Sequence, residues 1–254
     1  MKATIAKIYR YPVKGLSPDP LERASLTPGR ILAGDRRFAL ALASTRFDGH
    51  TPQWQPKSAF LALVKHAKLA ALDTRYDDDG NELTVFRRNK QVARGKLTDP
   101  VGRAIVEDFF AAYMGADTHG KPYLADAGEG ISFTDQKDKL ISIINLASIR
   151  DLGRIVGQEL DPQRFRANIY VDGIDPWSEF NWVGREIATG DALLSVVDRT
   201  ERCGAINVNP QDGVRDQNLV KALQAGFGHL DMGIFASVTT AGNLAIGEAI
   251  GPTA

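Results

Sequence analysis

The sequence predicts a mainly β protein of the α+β type, a β-barrel with helical decorations behind an N-terminal β-rich module. Three observations predict it. Apolar and polar residues alternate at period two in short pieces along the whole 254-residue chain. Three segments carry helical periodicity with start and stop signals. Clusters of Gly, Asp and Asn punctuate the pieces as turns do. Many short strands with few helices read as a barrel rather than as a layered α/β sheet.

Taken in order, "TIAKIYRYPV" is a strand that runs into Pro12. "RRFALALA" is a second strand, and "NELTVFRR" a third, entered through the turn "DDDGN". "DPVGRAIVEDFFAAYMG" is a helix, with Asp99 at the N-cap, Pro100 at the first helical position and Gly115 at the stop. Gly115 to Gly128 concentrates glycine and polar residues, as a domain boundary or one long surface loop would. The expected division is residues 1–118 for the N-terminal module and 119–254 for the barrel. "LISIIN", "ANIYV", "ALLSVVDR", "GIFASVT" and "LAIGEAI" are further strands, the last two joined by "TAGN". "ASIRDLGRIVGQEL" and "DQNLVKALQAGFG" are shorter helices, with Ser148 and Asp216 as candidate caps.

Composition narrows the function classes. Lys plus Arg number 31 and Asp plus Glu 31, so the formal charge is zero. Nucleic-acid binders carry a basic stripe, and no nucleic-acid partner is expected. One cysteine cannot form an internal disulfide or ligate a four-thiolate Fe–S cluster. The opening "MKATIAKIYRYPVKG" lacks the apolar core of a signal peptide, and no apolar run is long enough to span a bilayer. A soluble, cytoplasmic protein with no membrane association is the expectation. Phosphate-loop, nucleophile-elbow and zinc-helix motifs are missing. His50, His66, His119 and His229 are widely spaced, which suits structural or surface roles better than a metal site. A cysteine protease would need the lone thiol to meet His229, the one histidine downstream of it.

That thiol is Cys203, in "RTERCGAINVNP" just after a strand-like run. Cationic neighbours favour the thiolate, which is both a nucleophile and a soft metal ligand. Arg199 and Arg202 stand as sources of such a field. A small buried hydrophobe is the alternative reading of a free cysteine.

Five motifs, in order and at compatible separations, carry a family resemblance. "RFRANIYVDG", "SEFNWVG" with a following "TGD", "RTERCGAINVNPQDG" and "LAIGEAIG" resemble the core of a MOSC domain, the C-terminal domain of molybdenum cofactor sulfurases. "IYRYPVKGL" with "GDRRFALA" resembles the β-barrel module that precedes it in longer members, such as the mitochondrial amidoxime-reducing components and their bacterial relatives. The resemblance runs from Ile8 to Ile250. It implies that Cys203 ligates molybdenum and that Lys14, Arg36, Arg166, Asn168 and Arg202 contact the molybdenum cofactor (molybdopterin). Those residue types suit a pterin phosphate: Lys and Arg pair with the anion, and an amide both donates and accepts. Arg36 and Arg37 are adjacent and would face opposite sides of a strand, so only one of them turns to the pocket. Arg164 and Arg166 would share a face, and the motif alone selects Arg166. Glu179 and Trp182 read as a rim carboxylate beside a packing tryptophan.

Two departures from the family pattern bear on substrate. Members that reduce N-hydroxylated substrates commonly carry threonines after the cysteine, where this chain has "GAIN". Phe180 takes one place of an acid pair. The "VNPQDG" turn stays close to the family's "V-D-P-x-x-G", with Asn209 in place of the aspartate. Three functions follow from the resemblance. The first is a molybdenum-cofactor-dependent oxidoreductase that reduces N–O bonds of a small-molecule substrate, fed by a separate flavin or iron–sulfur electron donor. The second is a cofactor carrier or sulfurtransferase using a Cys203 persulfide supplied by a cysteine desulfurase. The third is a non-catalytic binding module for another anionic ligand.

Overall fold

The structure, a computed structural model, describes residues 2–45, 54–128 and 132–253. The N-terminal half contributes β1 (Ala3–Arg10), β2 (Asp19–Leu21), β3 (Arg23–Leu26) and β4 (Phe38–Ala41). It continues with β5 (Asp73–Asp77), β6 (Glu82–Arg87), β7 (Lys90–Lys96), α1 (Pro100–Met114) and β8 (Tyr123–Asp126). Next come β9 (Ile141–Asn145), α2 (Leu146–Val156), β10 (Ile169–Asp172), β11 (Glu186–Thr189) and β12 (Ala192–Glu201). The chain ends with α3 (Leu219–Phe227), β13 (Asp231–Thr240), β14 (Gly242–Ala245) and β15 (Ala249–Pro252).

Seven strands close into a barrel in the order β1-β10-β9-β13-β12-β11-β15 and back to β1, with β2 appended to β1. Closure removes the free edges that an open sheet would leave unpaired. Ile5, Ile143, Val171, Leu194, Val196 and Ile234 are buried in its core, as the period-two pattern of each strand requires. A second apolar cluster joins α1 to β4, β6 and β7, and a third seats α2 and α3 against the barrel wall. Among the described residues no helix is long and apolar enough to cross a membrane.

Strands from either side of the expected 118/119 division share sheets. β1 closes the barrel of the C-terminal half, and β8 pairs with β4 of the N-terminal half. The glycine-rich segment 115–128 therefore contains a strand as well as loops. "LAIGEAI" is two strands, because Gly247 turns the chain at φ +89°: β14 pairs with β3, and β15 enters the barrel. β14 consequently does not form a hairpin with β13. Asp99 caps α1 as expected, accepting from the amides of Val101 and Gly102 at 3.0 Å. The other two caps sit elsewhere. Asn145 caps α2 and Asn218 caps α3, because both Ser148 and Asp216 are committed to side chains from other elements.

α1 lies so close to β7 that glycine is needed on both sides of the contact. A Cβ on Gly102 would collide with the backbone of Lys96, and one on Gly95 with the carbonyl of Gly102. Gly102→Ala must therefore push the helix off the strand. Its expected cost is about 3 kcal/mol or more, read as a drop in the chemical-denaturation midpoint.

Candidate functional site

The sequence-selected residues converge. Lys14, Arg36, Arg166, Asn168, Arg202 and Cys203 all line one cavity of about 400 Å³. It opens where the barrel meets the N-terminal half, with the turn after β12 on one side and the segment after β1 on the other.

Tyr11 organises the cationic wall. Its ring is fully buried, with the Arg36 guanidinium 4.3 Å from the ring centroid and that of Arg166 4.2 Å away. Both arginines hold left-handed backbone, at φ +47° and +52°, which places them in turns rather than in strands. Asp35 accepts the Tyr11 amide at 2.7 Å and grips Arg36 at 2.6 and 2.8 Å. That carboxylate outweighs the burial that works against charge on Arg36 and holds its guanidinium above the ordinary value. Arg36 also donates to the Arg166 carbonyl at 2.9 Å.

Among the described residues no carboxylate bonds to Arg166, although Asp35 is near enough to act on it. The Arg166 Nη2 is buried without a hydrogen-bond partner. Burial, together with the nearby Arg36 charge, pushes the guanidinium down to about 10 despite the Tyr11 ring. Arg202 is in a similar position. It donates to the carbonyls of Met232 (2.9 and 2.6 Å) and Phe165 (2.9 Å) and to no carboxylate. Burial brings it down to about 10, with Tyr170 and Cys203 pulling the other way. Thr200 Oγ1 is a further buried, unpartnered polar atom on the same wall.

Lys14 is buried and donates to the Phe133 carbonyl at 2.7 Å and to Asp135 at 2.5 Å. Burial lowers its ammonium even with Asp135 beside it. Asn168 is a strut: its Oδ1 accepts from the amide and hydroxyl of Ser142 at 3.2 and 3.0 Å, and its Nδ2 donates to the Tyr9 carbonyl at 3.2 Å. One amide hydrogen is left for a ligand. Cys203 is partly exposed and opens the short helical turn Gly204–Asn207. Among the described residues no three His, Cys, Asp or Glu side chains gather to hold a metal ion.

Several expectations are corrected here. Arg199 stacks on Phe180 at 4.4 Å and faces Asp231 rather than the cavity, so Arg202 alone of the two lies near the thiol. Arg164 and Arg166 do not share a strand face, since residues 162–165 form a helical turn. What separates them is charge: Arg164 is matched by Asp216 at 2.8 and 2.6 Å, and Arg166 is unmatched. Arg37 turns away to Asp126 and Asn81, as adjacency to Arg36 predicts. Glu179 is not on a rim. It is completely buried, accepting from Ser148 Oγ and Asn145, and burial raises its carboxyl in spite of these donors. His229 packs among Trp177, Phe180 and Phe227 and does not line the thiol cavity. His66 accepts the Ala62 amide through Nδ1, His119 is exposed, and His50 lies outside the described residues.

The pattern of the MOSC domain matches residues 116–251, more than half of the chain. The protein belongs to the MOSC domain family. Its barrel supplies Arg166, Asn168, Arg202 and Cys203, all inside that match, and the N-terminal half adds Lys14 and Arg36 from outside it. The MOSC chain is similar to a molybdenum cofactor sulfurase of Caenorhabditis elegans, 25% identical over 238 residues, covering 87% of this chain and 31% of that protein. It therefore spans about a third of the sulfurase's length. It is also similar to the human mitochondrial amidoxime-reducing component 1, 23% identical over 233 residues, with 83% of this chain and 68% of that one covered. The solved YUAD protein from Bacillus subtilis aligns over 98% of this chain and 94% of its own, at 13% identity and a TM-score of 0.49.

Sequence reasoning passed over Tyr11, Asp35, Asp135 and Thr200. Tyr11 and Asp35 sit next to motif residues and are detectable by adjacency. Asp135 lies 121 residues from its Lys14 partner, and no local pattern announces it.

Proposed function

We propose that this MOSC protein binds the molybdenum cofactor in the 400 Å³ cavity and uses it to reduce N–O bonds in small N-hydroxylated molecules. The observation that carries the proposal is a pair of half-buried arginines, Arg166 and Arg202, that line the same space as the lone thiol and bond to no carboxylate among the described residues, with Arg166 Nη2 buried and unpartnered. Burying an unmatched cation is costly, so such a wall suits an anion of matching size. The volume falls in the usual range for small-molecule sites, roughly 300–1,000 Å³. With no cluster of protein ligands among the described residues, a metal that meets Cys203 is best supplied already held by an organic ligand, which a dithiolene provides.

In this reading Cys203 ligates the metal through its thiolate, and Arg166 and Arg202 hold the pterin phosphate with charge-assisted bonds. Lys14 and Arg36 line the same cavity, Arg36 beside Arg166 on the Tyr11 wall, and Asn168 offers its remaining amide hydrogen to the pterin edge. When bound, the cofactor supplies a metal able to exchange electrons in pairs. Overall an N–OH group takes up two electrons and two protons, the N–O bond breaks, and amine and water leave. The electrons come from a separate flavin or iron–sulfur donor, since this chain carries no motif for either group. A cytoplasmic setting, where a free thiol stays reduced, suits the chemistry. Metal analysis of protein made in a cofactor-competent host tests the reading. About one molybdenum per chain is expected, as for other sites where binding is linked to the fold; molybdenum at background level overturns it.

A further inference from the structure

A second, larger cavity of about 1070 Å³ adjoins the first. Gly15, Leu63, Ala205, Arg164 and Arg166 line both, so these residues form the divide between them. One side of the divide is the turn that follows Cys203. The other is the segment Ala62–Val64 from the N-terminal half.

A single side chain ties the two sides together. Arg215 Nη1 donates to the Gly204 carbonyl at 2.8 Å, and Nη2 donates to the carbonyls of Leu63 and Val64 at 3.1 and 2.8 Å. Among the described residues no other hydrogen bond joins 203–207 to 62–64. Gly204 lies between the cysteine and Ala205, and Leu63 faces both cavities. The guanidinium is exposed and lines neither cavity; it ties the two walls together from outside, and its planar fork of donors is the group that can satisfy three carbonyls at once.

The strap that presents Arg215 is preset. The Asn209 amide donates to the Val214 carbonyl at 2.7 Å, and the Gly213 amide to the Asn209 carbonyl at 3.0 Å. Gly213 is at φ +75°, and a Cβ there would come 2.8 Å from the Ala67 carbonyl, so the strap is seated on the N-terminal half. Asp216 is held by the buried Arg164. On the far side, Asn207 Oδ1 accepts the Leu219 amide at 2.8 Å, which anchors the other end of the cysteine turn to α3. Ala205 packs against the apolar cluster that includes Leu63, and Arg215 adds the polar tie between Gly204 and Leu63.

The geometry points to Arg215 as a positioning residue: it clamps the Cys203 turn to the facing wall and sets the width of the passage between the large cavity and the thiol. The assignment goes beyond the cofactor reading and does not rest on what either cavity binds. Because Cys203 is the only cysteine, any thiol reagent reports on this one site. The test uses the full chain without cofactor and compares alkylation of Cys203 by iodoacetamide with alkylation by a bulky fluorescent maleimide. In Arg215→Ala the maleimide rate is expected to rise about tenfold while the iodoacetamide rate stays within about twofold, because access limits the larger reagent. Arg215→Lys, which keeps the charge but cannot bridge three carbonyls, should fall between. A size ratio unchanged in Arg215→Ala, in protein that melts with the wild type, overturns the assignment. If Arg215→Ala does not fold, Arg215→Lys decides: a ratio shifted toward the small-reagent limit supports the clamp, and a wild-type ratio overturns it.

Discussion

Cys203→Ser, produced in a cofactor-competent host, is expected to lose N–O reduction by about a thousandfold or more. Changes at groups that merely orient metal ligands already cost 10–100-fold, and here a sole protein ligand is replaced. A serine oxygen is harder than a thiolate and matches the metal poorly. The organic part of the ligand should behave differently, since Arg166, Arg202 and Lys14 are untouched. Pterin released on denaturation is therefore expected to stay within about twofold of the wild type, as phosphate contacts dominate its binding. Activity and pterin lost together would show that the variant has unfolded or lost the pocket, and circular dichroism separates those. Activity retained in Cys203→Ser removes the ligation reading altogether.

The same residue separates the redox reading from sulfur carriage. In carriage, the Cys203 thiolate attacks the outer sulfur of a desulfurase persulfide. The donor's S–S bond breaks, a new one forms on Cys203, and the donor thiolate leaves. Mass spectrometry after incubation with a cysteine desulfurase and free cysteine would then show one added sulfur on the wild type and none on Cys203→Ser. A wild-type protein that reduces N–O bonds and never gains this mass is the result expected here.

How much of this was legible in the sequence depends on whether the information was local. The strand "TIAKIYRYPV" and the α1 helix announce themselves by period and cap, because alternation and capping are written in neighbouring residues, although the strand's barrel partners, β10 and β15, lie far along the chain. The split of "LAIGEAI" was not legible: its pattern is uniform, and only the competing partners, β3 and the barrel edge, decide that Gly247 turns. Ser148 and Asp216 looked like caps because both residue types prefer that position. Long-range partners, Glu179 and Arg164, claimed them instead. The same logic governs the site. Adjacency said that only one of Arg36 and Arg37 faces the pocket, and the motif selected Arg36. Arg166 against Arg164 needed Asp216, which is 52 residues from Arg164. Motif spacing places cations near the pocket, but which of them remains unmatched is a tertiary fact.

Arg166→Gln gives that unmatched charge a measurable consequence. Burial holds the folded guanidinium at about 10, well below its ordinary value. The unfolded chain therefore binds this proton better, which opposes folding by roughly 3 kcal/mol at neutral pH. The sign follows from the depressed value: the penalty is complete below about 10 and fades only as pH rises above that toward the ordinary guanidinium value. Glutamine keeps a polar stem beside Tyr11 and removes the charge. It gives up the ring contact, worth roughly 0.5–2 kcal/mol. The net expectation is a cofactor-free variant more stable by about 1–2 kcal/mol, which for a chain of this length raises Tm by several degrees at roughly 2–4 °C per kcal/mol. Anion binding should move the other way. Phosphate is expected to raise the wild-type Tm by linkage and to do so far less in Arg166→Gln, with the exposed Arg88→Gln behaving as the wild type. A variant less stable than the wild type, or one equally stabilised by phosphate, would mean that the buried charge is matched by something in the chain itself. The cavity would then have no built-in demand for an anionic ligand.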